Sequence, residues 1–455
     1  MARVVIVGGG PGGYESALVA AQLGAEVIVI DTDGLGGSAV LTDCVPSKTL
    51  IATAEVMTDL AGAADLGIAV APPTVELAQV NHRVKLLALA QSHDIATRLT
   101  REGVRLVTGR ARLDGPGRVV AELADGGTET FDADAVLIAT GAAPRTLPTA
   151  QPDGERILTW EQVYDLDEMP SHLIVVGSGV TGAEFASAYQ SLGIPVSLVS
   201  SRDRVLPGED QDAAQVLEDV LTRRGMTVLS RSRMASVARD GDVVTVTLAD
   251  GREVAGSHCI LALGSVPNTA GIGLEEAGVR LNEGGFIEVD RVSRTSVPGV
   301  YAAGDCTGVL MLASVAAQQG RIAMAHVLGD AVAPLDLSVV ASNVFTSPEI
   351  ATVGVTQRQV DAGEVLAEVI TQPLATNARA KMQGIVDGFV KLFVAPGSGS
   401  VLGGVVVGPR ASELIHPVAI AVTERLTADQ VAQTFTVYPS ISGSIAEAAR
   451  RLHRA

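Results

Sequence analysis

The amino-acid sequence predicts an α/β chain in which one parallel βαβ unit occurs twice, followed by a smaller α+β domain. Three observations carry that expectation. The chain opens with RVVIVGGGPGGYESALVAAQLGAEVIVID: an apolar run, a glycine-rich turn, an apolar helical stretch and a second apolar run. The pattern returns from residue 173 as LIVVGSGVTGAEFASAYQSLGIPVSLVSS. Beyond Pro334 the periodicity changes, and short alternating runs (FVKLFVA, VLGGVVVG) mix with helical ones (SELIHPVAIAVTERL, SGSIAEAARRL).

The elements follow in order. Val4–Val7 reads as a buried strand, since a short β-branched run bounded by a turn suits a strand covered on both faces. The turn Gly8–Gly13 leads into a helix from about Tyr14 to Leu23, and a second strand over Glu26–Ile30 ends on Asp31. In that geometry Gly8, Gly10 and Gly13 permit the tight turn, a close approach to pyrophosphate and close packing of helix on sheet. The helix N-terminus turns backbone N–H groups and a positive dipole end toward phosphates. Asp31 stands where an acid that binds ribose hydroxyls belongs. Gly177, Gly179 and Gly182 occupy the same frame in the second copy. One G-x-G-x-x-G is a weak signal, but two in register inside a duplicated unit are a strong one. Two nucleotide sites on one chain suggest one dinucleotide held as a prosthetic group and another that comes and goes.

The downstream parts repeat as well. LADGGTETFDADAVLIATGAAPR (123–145) resembles LADGREVAGSHCILALGSVPN (248–268): strand, Asp-Gly turn, strand, and a glycine at a strand end. The glycine fingers begin 169 positions apart, at Gly8 and Gly177, whereas the strand-end glycines Gly141 and Gly264 are 123 apart. The first copy therefore holds about 46 extra residues, the segment around Cys44 and a helical stretch from Gln79 to Arg101. Asp305, in GVYAAGDCTG, reads either as a turn aspartate or, given its place after the duplication, as a cap for a ribityl hydroxyl; a helix over Ala313–Leu328 follows.

Composition narrows the function. At 455 residues the chain suggests roughly two to four domains, and 47% hydrophobic residues are enough for several cores. A net charge of −18 argues against nucleic acid and against docking on anionic lipid. No basic-then-apolar leader precedes the first strand, and no apolar run reaches the roughly 18 residues of a membrane span, so a cytoplasmic protein without membrane insertion is expected. Three widely spaced cysteines make neither a disulfide framework nor a metal site.

On these residues the chain resembles the flavoprotein disulfide reductases, the family of lipoamide dehydrogenase and glutathione reductase. The carriers are the first finger with Asp31, GGS…CVPSK, IATG at 138–141, the second finger and AAGD at 302–305. Within the family the chain is most similar to actinobacterial NAD(P)H quinone reductases. The resemblance implies an FAD-binding domain (1–150), an NAD(P)H-binding domain (151–270), a central segment completing the FAD domain (271–335) and a C-terminal dimerisation domain (336–455) of a homodimer. It places Gly37, Ser38, Ala111, Gly141, Asp305 and Ala313 at FAD contacts, and Gly264 is the counterpart of Gly141. Lys48 and Glu184 match a pair beside the reactive edge of the flavin, where a lysine stabilises negative charge on the reduced ring. Their bland alternatives are a surface lysine and a helix glutamate.

The departures from the family pattern decide the expected chemistry. The partner of Cys44 in the family's redox disulfide is here Ala39. The family's His-Pro-Thr-x-x-Glu near the C-terminus, which handles protons for the thiol, reads TVYPSISGSI, with Tyr438 and Gly443 replacing the acid–base pair. A tyrosine with a pKa near 10 is a poor acid–base group at neutral pH. Disulfide reduction is therefore not expected. Cys44, just before a helix start at Pro46, is either a thiol activated against the flavin or a packing residue. The position of the NAD-specific ribose acid is Ser200, and Arg202 or Arg204 could pair with a 2′-phosphate, which favours NADPH with NADH tolerated. The expected activity is transfer of hydride from NAD(P)H to FAD, then of electrons to a quinone, with Tyr438 lining the acceptor site. The alternatives are a pyridine nucleotide transhydrogenase and a flavoprotein retained only as a binding subunit or sensor.

Overall fold

The computed structural model describes residues 1–71 and 73–452, which form two compact units. The first consists of Met1–Thr49, Asn81–Arg145 and Gly264–Asp336; the second of Leu50–Val80, Thr146–Leu263 and the stretch from Leu337 on.

The first unit is built on a seven-stranded sheet. Its parallel part runs Val300–Ala302, Ala135–Ile138, Arg3–Val7, Glu26–Asp31 and Arg105–Leu113. Val4, Val5, Ile6 and Val7 are buried on both sides of the sheet, the condition under which an unbroken valine–isoleucine run is favoured over alternation. The hairpin strands Arg118–Leu123 and Thr128–Asp132 extend the sheet antiparallel. The first helix spans Pro11–Gln22, beginning before the expected Tyr14 because proline is suited to the opening turn, where its missing N–H is not needed. It packs closely on the helix Ala313–Val327. A side chain at Gly320 would run into the Gly12 carbonyl and the Ser16 hydroxyl, so the glycine is required for that approach. Glu15 and Arg321 form an ion pair at 2.8 Å across the same two helices.

The second unit repeats the plan. Its parallel sheet runs Thr227–Leu229, Val196–Val199, Leu173–Val176, His258–Leu261 and Ile157–Thr159. The repeated hairpin differs: here it joins Met234–Asp240, Val243–Leu248 and Glu253–Gly256 into a separate three-stranded sheet. The C-terminal part is a five-stranded antiparallel sheet in the order Ala341–Val344, Glu349–Gly354, Val401–Gly408, Phe389–Val394 and Glu368–Pro373. The helices Ala411–Thr423, Ala428–Gln433 and Gly443–Arg450 accompany it.

A lysine lies inside this sheet. Lys391, in Phe389–Val394, is 1% exposed. Its Nζ donates to both oxygens of Asp210 at 2.9 and 2.8 Å and to Asp212 at 2.7 Å. Asp210 is also the N-cap of the helix Gln211–Arg223, accepting from the N–H groups of Asp212 and Ala213. All three ammonium protons are thereby directed at carboxylate oxygens, which offsets the desolvation of a buried lysine.

Candidate active site

Both glycine fingers have the same internal construction. Gly8 and Gly177 hold φ of +104° and +110°, a region that favours glycine. A Cβ at Gly13 would overlap the Gly8 carbonyl, and one at Gly182 the Gly177 carbonyl. A Cβ at Gly10 or at Gly179 would meet nothing within 4 Å. Each finger is thus tight where turn and helix meet and open where a ligand would approach. The helices Pro11–Gln22 and Val180–Ser191 start from Gly10 and Gly179 with no side-chain cap, so their first N–H groups remain available to an anion.

Asp31 has a structural task. Its carboxylate accepts from the N–H groups of Gly9 at 2.6 Å, Asp33 at 2.9 Å and Gly34 at 2.8 Å. It therefore ties the finger to the loop after the second strand, and it retains acceptor capacity for a ribose hydroxyl. Gly37 opens the short helix Gly37–Leu41, which contains Ser38 and Ala39. It has φ +55°, and a Cβ there would press on Gly10 Cα, so this segment lies against the finger. Asp43 N–H donates to the Ser38 carbonyl at 2.7 Å, joining that helix to the next, Cys44–Gly62. Cys44 and Lys48 stand one turn apart near its start, both half-buried.

Asp305 begins a single helical turn at the end of Val300–Ala302, and Ala313 begins the helix that follows. Burial, reinforced by the negative charge of Asp43, raises the Asp305 pKa from 3.8 to about 6. Since the folded-state value lies above the unfolded one, the stabilising contribution of protonated Asp305 is fully present below 3.8 and is lost as pH rises through about 6. Without nucleotide, an Asp305→Asn protein is expected to gain thermal stability over the native chain progressively between pH 4 and about 6, and no further above about 7. A constant difference in melting temperature across that range rules out this role. Gly141 (φ +68°) and Gly264 (φ +84°) end their strands with open space around them. The small sheet of Ala142–Pro144 and Ser265–Pro267 links the two strand ends. Ala111 is buried in a core strand opposite Ala121, so only its backbone is available for a ligand. Cys306 is buried beside Asp305 with its thiol pushed up to about 11, and burial likewise raises Cys259; neither is an activated thiol.

At the second finger, Ser200 is wholly buried. Its hydroxyl lies 2.7 Å from that of Ser178 and accepts from Arg202 N–H at 3.1 Å. It shapes the loop from below, so direct recognition falls to the arginines. Arg202 is exposed, while Nε of Arg204 is buried and has no hydrogen-bond partner among the described residues. An N–H in that state is a donor waiting for an acceptor, and a phosphate oxygen suits it. Glu184, in the helix Val180–Ser191, is buried and accepts from Phe345 N–H at 2.9 Å. Tyr438 is 86% exposed, and Gly443 starts the last helix with its N–H donating to Ser440 Oγ. A Cβ at Gly443 has room, its nearest neighbour 3.7 Å away, so packing is not what excludes a side chain there.

Two glycine fingers open to a ligand stand on duplicated sheets, with a thiol and a buried carboxyl near the first. Residues 2–320 match the family model of the pyridine nucleotide-disulphide oxidoreductases, and residues 340–449 match that family's dimerisation domain. The chain belongs to this family, whose members bind FAD and NAD(P)H. It is 58% identical to the NAD(P)H dehydrogenase (quinone) of Mycobacterium tuberculosis, with 99% of this chain and 94% of that one covered. To the dihydrolipoyl dehydrogenase of Zymomonas mobilis it is 33% identical, over 98% and 96% of the two chains. The crystal structure of LpdA from Mycobacterium tuberculosis superposes with a TM-score of 0.96 at 57% identity, covering 100% of both chains. Among the described residues no helix is long and apolar enough to cross a membrane.

Proposed function

We propose that this protein is a cytoplasmic, homodimeric, FAD-dependent NAD(P)H:quinone oxidoreductase without disulfide reductase activity. The observation that carries the reading is the contrast between two intact nucleotide cradles and the changed relay: Ala39, Tyr438 and Gly443 stand where a disulfide reductase needs a thiol, an acid–base group and a carboxylate. The name of the mycobacterial relative supports the same acceptor class. When bound, FAD supplies a carrier that takes hydride from the nicotinamide and passes the electrons on.

The chain's own residues do the rest. Segments 1–150 and 271–335 hold FAD, 151–270 hold NAD(P)H and 336–455 form the dimer. Gly8, Gly10 and Gly13 admit the FAD pyrophosphate, Asp31 takes a ribose hydroxyl, and Gly37, Ser38, Ala111, Gly141 and Ala313 line the rest of its path. Asp305 accepts a hydrogen bond from a ribityl hydroxyl. Lys48 places positive charge near the ring, and Glu184 occupies the position of the family's carboxylate counterpart to that lysine. Gly177, Gly179, Gly182 and Gly264 admit NAD(P)H. Nε of Arg204, without a hydrogen-bond partner among the described residues, with exposed Arg202 nearby, favours a 2′-phosphate and therefore NADPH. Cys44 stands against the flavin as an activated thiol or a packing residue, and with Ala39 in place of a second thiol it forms no redox disulfide there. The partner subunit's Tyr438 lines the acceptor site and donates a hydrogen bond to a quinone carbonyl.

The test is a steady-state acceptor comparison on purified protein: a quinone, lipoamide and a nicotinamide analogue, each with NADPH and with NADH. Rapid quinone reduction without lipoamide reduction is expected, and faster turnover of the nicotinamide analogue than of quinone would make transhydrogenation the correct reading. Tyr438→Phe is expected to lower kcat/KM for quinone about fivefold, the effect of one lost hydrogen bond. An unchanged value removes that role.

A further inference from the structure

The arm that carries Tyr438 is tied to the rest of the C-terminal domain by Asn377, 61 positions earlier in the chain. From Gln433 to Tyr438 every residue is exposed, Phe435, Val437 and Tyr438 among them. After Thr434, whose hydroxyl donates to the Gln430 carbonyl, the next hydrogen-bonded anchor among the described residues is Ser440. Its carbonyl accepts from Nδ2 of Asn377 at 3.0 Å, and the same Nδ2 donates to Ser444 Oγ at 2.9 Å. The other end of this carboxamide is also engaged. Oδ1 accepts from Arg379 N–H at 2.8 Å and Ala380 N–H at 3.1 Å, capping the turn Ala378–Met382. The network fixes which way the amide points, because two N–H groups need the oxygen and a carbonyl needs the nitrogen. On the far side, Ser440 Oγ accepts from Gly443 N–H at 3.2 Å and lies 3.0 Å from Ser442 Oγ, and Ser444 is buried. Ser440–Ser444 are therefore held, and Tyr438 projects from that held edge two residues before it.

We propose that Asn377 is a positioning residue for the electron acceptor: by donating both Nδ2 protons to Ser440 and Ser444 it sets the position from which Tyr438 meets a quinone carbonyl. This rests on the reading of Tyr438 as an acceptor-site group. The side chain touches no acceptor itself. Its role follows from where its two donors end, one on the residue two beyond Tyr438 and one inside the first turn of the last helix. Asparagine is the fitting residue, because the site requires an acceptor on one side and two donors on the other. Aspartate is nearly identical in shape and keeps the cap of its own helical turn, but it sets a second acceptor against the Ser440 carbonyl.

The test uses the full-length, FAD-loaded protein carrying Asn377→Asp. The KM for a soluble benzoquinone is expected to rise by about fivefold at most, the effect of Tyr438→Phe, because the hydrogen bond to the Ser440 carbonyl is lost. The rate at which NADPH reduces the flavin is expected to stay within about twofold of the native value. Amide hydrogen exchange is expected to quicken at Ser440–Ser444. In a Tyr438→Ala background the exchange at Asn377 is expected to add almost nothing to the loss in quinone kcat/KM, because a residue acting through another is non-additive with it. A general structural role would instead slow flavin reduction too and add fully to Tyr438→Ala. Either of those results, or an unchanged quinone KM in Asn377→Asp, overturns the proposal. If Tyr438→Ala lowers quinone turnover and Asn377→Asp does not, this inference falls while the acceptor-site reading stands. If Tyr438→Ala is itself silent, the acceptor-site reading falls and takes the inference with it.

Discussion

Replacing Lys391 with alanine is expected to lower the stability of the protein by about 3–5 kcal/mol, the cost of breaking a buried pair by removing one partner. The carboxylate of Asp210 is 3% exposed in the native protein and receives two of its charge-assisted hydrogen bonds from Nζ of Lys391. Without the ammonium, a buried negative charge would keep only the two N–H groups of its capping role. Burying a charge is tolerable only when it is paired, so the loss falls on the carboxylate left behind more than on the missing contact. The double exchange Lys391→Met with Asp210→Asn separates these terms. Asparagine still caps the helix Gln211–Arg223, methionine fills a similar volume, and no buried charge remains, since the Asp212 side chain is 63% exposed; most of the lost stability is expected to return. Urea unfolding of the three proteins measures both effects. A loss under about 1 kcal/mol for Lys391→Ala would mean that water reaches the cluster.

The second large effect is a separation of the two nucleotides by one methyl group placed in either finger. Gly13→Ala puts a carbon onto the Gly8 carbonyl, and Gly182→Ala puts one onto the Gly177 carbonyl and close to Ala262 Cβ, 3.3 Å away. The obstructing atoms are backbone, so the turn itself has to move, and overpacking of that kind costs about 1–3 kcal/mol at the ligand's expense. Gly13→Ala is expected to be purified with FAD occupancy reduced about tenfold or more, read from the flavin absorbance per chain. Gly182→Ala is expected to keep its flavin colour while NADPH reduces it about tenfold or more slowly. Equal loss of both properties in either variant would break the assignment of one finger to each nucleotide.

Much of this architecture is legible from residues near one another in the chain. The buried runs Val4–Val7 and Leu173–Val176, with glycine turns and apolar helices after them, are local signals, and both appear as parallel strands leading into fingers. The long helix expected from Gln79 to Arg101 spans Leu77–Arg101. The similarity of 123–145 to 248–268 reappears as matching hairpins that end at Gly141 and Gly264. Where the two copies part company, with one hairpin extending its sheet and the other forming its own, the reason lies in neighbours distant in sequence, to which local patterns are blind.

By itself, the sequence determined the class of the molecule: two nucleotide units, a single cysteine where the family has a pair, and a changed acid–base motif at the far end. These follow from residue identity, because a position without a thiol or an imidazole lacks that chemistry in any conformation. Tertiary structure alone decided how the side chains are used. Asp31 clamps the finger with its carboxylate, Ser200 is sealed beneath its loop, and Nε of Arg204 is buried without an acceptor among the described residues. Lys391 is neutralised by aspartates about 180 positions earlier, and Asn377 grips the segment after Tyr438. Each of these depends on partners brought together by long-range packing. Burial and hydrogen bonding, which set what a polar group does, exist only once the chain has closed on itself.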